Sequence, residues 1–255
     1  MNTIKIKNLV LLLIFYSVIS CQKEIIYTGI PGQLKGRVRD NNGNNLGNVK
    51  VTITGTPSPL VIYSNEEGIF SFDDLKTGIY NLEFAKDSFG TFRINSFQFL
   101  GGNIPSWINP VVLYKPPSTI ISDVKVELDT NYIYSDIISP IITGKLKIDA
   151  NSSYIFARYF LSDQPDVSAT NYKISDEKIL RIVQADSTFR DNITININKG
   201  LYNEGNTIYI VFYPSVTFSY NTYQDIETGN LIYTNISNQG SNIASFKIPY
   251  IKNRY

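Results

Sequence analysis

From Leu34 onward the chain runs in short alternating segments broken by Gly, Pro or Asn, and this pattern restricts the fold more than any other feature. Val49, Val51 and Ile53 fall on one face of a segment and Lys50, Thr52 and Thr54 on the other. Tyr80, Leu82 and Phe84 repeat the alternation. A period of two belongs to strands, and breaks every 8–12 residues or so belong to all-β sandwiches. The 18 Tyr and 14 Phe, among many Ile, Val and Thr, suit pleated half-buried surfaces. Strands are predicted over 36–40, 49–54, 60–64, 69–72, 80–84, 92–99, 111–114, 119–128, 141–148, 154–161, 192–198, 207–213 and 244–248. Ile208, Ile210 and Phe212 oppose Tyr209, Val211 and Tyr213, so the segment 207–213 is apolar on both faces and is expected at the centre of its sheet. Asp176 to Val183 is expected to form one or two helical turns.

The 255 residues suffice for two ordinary domains. Lys115-Pro116-Pro117-Ser118 reads as a boundary, because paired prolines favour a semi-rigid linker. The predicted organisation is a leader at 1–20, a tether at 21–32, one β-sandwich at 33–115, a linker at 116–118 and a second sandwich at 119–255.

The leader has two lysines, Lys5 and Lys7, and then an uncharged run from Leu9 to Ile19. A basic start and a short apolar run mark an export signal, and the run is shorter than the roughly 20 residues of a membrane-spanning helix. It ends at Cys21, the single cysteine of the chain. Val18-Ile19-Ser20-Cys21 resembles the lipobox of bacterial lipoproteins, with a bulky Ile19 where that family has a small residue. In that family the thiol takes a diacylglycerol and the new amino terminus a further acyl chain, palmitate among the acids used. An ordinary export signal with an incidental cysteine is the other reading. Loss of residues 1–20 would leave 21 basic against 22 acidic residues, a net charge of −1. Such a balance offers no basic face for nucleic acid.

With one cysteine, no disulfide can form within the chain, so stability must come from the cores. There is no histidine. Ser-His-Asp and Cys-His catalysis and the usual zinc sites are thereby excluded. No metal site or cofactor is expected.

Four blocks occur in order in the first half: Gly36-x-Val38-x-Asp40, Val49-x-Val51-x-Ile53-x-Gly55-Thr56, Asn65-x-x-Gly68-x-Phe70 and Leu75-x-x-Gly78-x-Tyr80-x-Leu82. This series resembles the carboxypeptidase regulatory-like domain, a transthyretin-like sandwich, over residues 33 to about 100. The resemblance implies a non-catalytic appendage, with Gly68 and Gly78 at positive φ or in tight turns and Tyr80 and Leu82 in the core. The second half has no specific motif and reads as an immunoglobulin- or fibronectin-like sandwich. Leader, first domain and linker together are similar to two-domain lipoproteins of Bacteroidota, often encoded beside outer-membrane glycan importers. That resemblance implies a lipid-anchored, non-enzymatic protein of the cell outer membrane, on either side of it. Its role would be carbohydrate binding beside an importer or, alternatively, a structural or assembly partnership with a membrane protein complex.

Candidate ligand-binding residues are aromatic. Trp107, the only tryptophan, could stack on a sugar, although packing at the end of domain one or in the interdomain seam is the favoured reading. Tyr132, Tyr134, Tyr220 and Tyr223 pose the same choice, since tyrosine-rich loops give large contacts at small entropic cost. Asp40, Asn42 and Asn44 alternate like the start of a calcium loop, but Asn45 and Val51 stand where such a loop needs Gly and Glu, so an Asn-rich turn is expected. Glu66, Glu67, Asp73 and Asp74 are expected to face water.

Overall fold

The computed structural model describes residues 29–128, 137–148, 152–183, 187–196, 203–216 and 222–249. These residues form nineteen strands and no helix, so the all-β expectation holds and no helix among them is long and apolar enough to cross a membrane.

The first unit holds β1 (Gly32–Asp40), β2 (Lys50–Thr54), β3 (Leu60–Tyr63), β4 (Ile69–Leu75), β5 (Gly78–Ala85), β6 (Phe92–Phe99), β7 (Ser106–Trp107) and β8 (Val111–Leu113). One sheet centres on β1, which pairs antiparallel with β4 and parallel with β7 and β8. The facing sheet has the order β3-β2-β5-β6 and is antiparallel throughout. Alternate side chains of both sheets meet in one core containing Leu34, Val38, Val51, Ile53, Phe70, Leu82, Phe84 and Leu113. Phe70 meets Phe84 edge-on, with ring centroids 5.5 Å apart.

Two glycines explain themselves sterically. Gly68 has φ +74°, and a β-carbon there would lie 2.3 Å from the Val38 carbonyl oxygen. Gly36 lies beneath the Phe70 ring, which would stand 2.4 Å from an added β-carbon. Gly78 is not at positive φ; it sits under the Tyr80 phenol, whose hydroxyl donates to the Lys76 carbonyl at 2.7 Å.

The second unit holds β9 (Ile120–Glu127), β10 (Ile137–Ile138), β11 (Ile141–Lys147), β12 (Tyr154–Ser162), β13 (Ile174–Arg181), β14 (Thr188–Asn192), β15 (Ile195–Asn196), β16 (Thr207–Ser215), β17 (Thr222–Gln224), β18 (Leu231–Tyr233) and β19 (Ala244–Lys247). The order β14-β11-β9 faces the order β13-β12-β16-β19. Setting aside the short β10, β15, β17 and β18, the first two strands thus pair with the fifth, and the third and fourth with the last two. This is an immunoglobulin- or fibronectin-type sandwich. Its core includes Ile142, Leu146, Ala157, Leu161, Phe189, Ile210 and Phe212. β16 lies between β12 and β19, and both of its faces are buried, as its sequence predicts.

Two expectations fail. Residues 176–181 are strand, not helix: β13 pairs with β12 through eight consecutive positions. The charged residues of this stretch find cross-strand partners, Lys178 to Asp191 at 2.9 Å and Glu177 to Arg158. The strand expected over 192–198 is split: β14 ends at Asn192 and β15 pairs separately with β10.

Candidate binding surfaces and the interdomain clasp

The Asn-rich turn after β1 is built by Asp40, whose carboxylate accepts from the Asn42 and Asn44 backbone amides at 2.8 Å and from the Asn44 side chain at 2.9 Å. These bonds hold its carboxyl below the usual carboxylate range, Asn44 contributing most. No group of three or more metal-ligating side chains converges among the described residues.

Trp107 is 59% exposed. It lies on β7 opposite Lys35, with the next amide, that of Ile108, donating to the Lys35 carbonyl at 2.9 Å. The parallel pairing fixes the backbone while the ring faces solvent, so the favoured packing role is not what the structure shows. Cys21, Tyr132, Tyr134 and Tyr220 lie outside the described residues.

Tyr223 is in the seam between the two sandwiches. It belongs to the β17–β18 hairpin, an insertion in the connection from β16 to β19. The Arg93 guanidinium of β6 sits over its ring, 5.4 Å from the centroid. Arg93 is held there by Glu83 of β5, at 2.7 and 2.8 Å. Asn95, also on β6, donates its side-chain amide to the Gln224 carbonyl at 2.6 Å. The hairpin therefore covers the free edge of β6, an edge that would otherwise offer unpaired backbone groups. A groove of about 420 Å³ remains beside it, bordered by Arg93, Asn95, Tyr223 and Asp225. Gly90, in the turn between β5 and β6, approaches domain two so closely that a β-carbon would lie 2.0 Å from the Thr234 carbonyl oxygen.

The other side of the hairpin is fixed to its own domain. Phe160 and Val211, on the outer face of the four-stranded sheet, pack with Val167 and Ile236. Phe160 is ringed by Tyr172, Tyr213 and Tyr233 at 4.9, 5.5 and 5.8 Å. Tyr172 donates to the Leu231 carbonyl at 2.8 Å, and the Tyr233 hydroxyl bonds Ser175 at 2.7 Å. Arg158, only 5% exposed, lies 3.7 Å from the Tyr233 ring centroid and pairs with Glu177. Desolvation raises the pKa of Tyr172 to about 12, with the neighbouring Tyr233 adding to it. Burial likewise raises Tyr223, against the pull of Arg93.

Sequence reasoning singled out Tyr223 but not Arg93, Asn95 or Gly90. Nothing local signals them: Asn95 and its partner are 129 residues apart.

The first unit, a β1-centred sheet against β3-β2-β5-β6 with Gly68 in its turn, is the part of the chain that a known family matches. Residues 33–106 match the family model of the carboxypeptidase regulatory-like domain. No curated protein matches the chain. Among solved structures, a candidate carbohydrate binding protein from Bacteroides uniformis ATCC 8492 is 12% identical, with coverage of 86% of this chain and 100% of that one and a TM-score of 0.29. The streptococcal ancillary pilin is 13% identical, covers 88% of this chain and 60% of its own, and has a TM-score of 0.29. The major pilin subunit of Bacillus cereus is 8% identical, covers 85% and 69%, and also scores 0.29. The clasp joins the regulatory-like domain through β6 and its β5–β6 turn, both within the family match.

Proposed function

We propose that the protein is a lipid-anchored, non-catalytic binding protein of the outer membrane, with a glycan as ligand. The observation that carries the reading is Trp107, a large ring left open to solvent by the strand that holds it. An exposed indole offers an apolar face and a quadrupole to the C–H face of a pyranose. The lipobox-like Cys21 supports the anchor, and the lack of histidine and of a second thiol supports the absence of catalysis.

Because Trp107 is the only tryptophan, its emission reports on this position alone. Titration with a panel of polysaccharides should shift or quench it, and Trp107→Ala should reduce retardation in affinity gels, weakening binding roughly fivefold on an aromatic contribution of about 1 kcal/mol. A full panel that leaves both the emission and the mobility unchanged would sink the glycan reading. The anchor has its own test. Cys21→Ser should block acylation and either release the protein from the membrane or leave its leader uncleaved; unchanged membrane retention with the leader removed would refute it.

A scaffold or assembly role is the second reading, and the clasp favours it. A polar and aromatic seam that fixes two sandwiches against each other suits a rigid spacer. Crosslinking in native membranes followed by pull-down should then recover a stable protein partner.

A further inference from the structure

Four large aliphatic side chains stand in solvent at one end of the first sandwich. Ile30 is 61% exposed, Ile79 54%, Leu100 70% and Ile104 82%. Ile30, Ile79 and Leu100 are gathered by the contacts of their neighbours, and Ile104 follows Gly102 by two residues. The Gly102 amide donates to the Ile30 carbonyl at 3.0 Å. β-carbons built on Gly29 and Gly101 would both fall within 2.8 Å of the Thr77 methyl, so residues 29–30, 77–79 and 100–102 form one packed bracket. Ile79 pairs with Gln98 on the outward face of β5 and β6, and Leu100 follows two residues on with the same parity. Clustered exposed aliphatics mark an interaction surface, whereas single ones need no explanation.

The chain itself indicates the occupant. This end is where the tether enters β1. Cys21 precedes Gly29 by eight residues, a span of at most about 29 Å when fully extended. The far end of the same sandwich is polar, with Asn41, Asn42, Glu66 and Glu67 exposed, and it is also the end from which domain two departs, since Leu113 pairs with Asp40. The end with the four aliphatic side chains, which also carries the exposed Asp73, Asp74 and Lys76, therefore faces away from domain two and toward the residue proposed to be acylated.

We infer that the tip formed by Ile30, Ile79, Leu100 and Ile104 rests in the lipid interface as a second membrane contact beside the acyl anchor, setting the orientation of both sandwiches. This inference rests on the acylation of Cys21. Acyl chains alone fix a point but no direction; an apolar patch at the base adds buried area and selects one pose.

The test uses the full chain expressed with its leader, its acylation checked by intact mass, in vesicles of phosphatidylethanolamine and phosphatidylglycerol. In the acylated protein the Cys21 sulfur is a thioether, so a cysteine introduced by Ile104→Cys is the only free thiol and takes a fluorescent label selectively. Doxyl-bearing lipids should quench that label several-fold more than one placed by Glu66→Cys at the polar end. Equal quenching in a protein of correct acyl mass overturns the contact and leaves the anchor standing. If the mass shows no acyl group, the anchor reading fails instead. The contact is then decided by co-sedimentation of the chain without its leader with the same vesicles: a several-fold loss in the double variant Leu100→Asp, Ile104→Asp supports it, and no difference overturns it.

Discussion

Arg158 shows how one residue is held where its chemistry is unfavourable. Its guanidinium is buried on the outer face of β12, between Glu177 of β13 and the Tyr233 ring of the hairpin. A desolvated cation is tolerated only while its charge is met, and removing one partner of such a pair costs about 3–5 kcal/mol. Glu177→Ala should therefore lower unfolding stability by about 3 kcal/mol, because Glu177 is partly open to water and the Tyr233 ring remains. Replacing both partners together, as Arg158→Met with Glu177→Leu, should recover most of that loss. Urea denaturation of the three proteins checks the pattern; a single variant as stable as the parent would remove the ion pair from the account. The pair was not legible in sequence. Glu177 lies in the stretch expected to be helical, and only the eight-position pairing of β13 with β12 turns it toward Arg158.

At the scale of elements, the sequence was informative where burial is one-sided or two-sided in a regular way. β2, β5 and β16 are legible because their apolar residues keep period two against a core. β13 and β14 are not, because edge strands with half-exposed faces carry polar residues that serve cross-strand partners instead of a core. The β17–β18 hairpin is the least legible, since its stability comes from two distant surfaces. That dependence gives it a pH signature. Tyr172, which bonds the Leu231 carbonyl, has its pKa raised from the ordinary value near 10 to about 12 by burial. A folded-state pKa above the unfolded one means the neutral phenol is favoured in the fold, so its contribution is complete below pH 10 and is lost as pH rises toward 12. Hydrogen exchange of residues 222–233 should accelerate over that window, and Tyr172→Phe should remove this part of the dependence. Exchange that stays flat from pH 9 to 12, after correction for the intrinsic rate, would contradict the assignment.

For the whole molecule, the question is whether two sandwiches joined by a proline linker behave as one body. Each has its own core, and interfaces between domains of one chain generally permit relative motion unless they are extensive and apolar. Here the linker is not the main joint. The hairpin reaches from the outer face of the β12–β16 sheet to the β6 edge, held by Asn95 to Gln224, Arg93 over Tyr223 and the close approach of Gly90 to Thr234. Most of these contacts are polar or cation–π, each worth about 0.5–1.5 kcal/mol, so together they couple the domains without fusing their cores. Gly90 is the point of greatest sensitivity. Any side chain there must displace the Thr234 backbone, and the seam has no flexible side chain at that point to yield. Gly90→Val should therefore separate the domains while leaving both cores intact. Calorimetry should give one unfolding transition for the parent and two for the variant, and small-angle scattering should show a broader distribution of lengths in the variant. Asn95→Ala, which removes one hydrogen bond without a clash, should shift the transition only slightly. A Gly90→Val protein with one transition and unchanged scattering would mean that the proline linker, not the clasp, sets the geometry, and the rigid-spacer reading would lose its support.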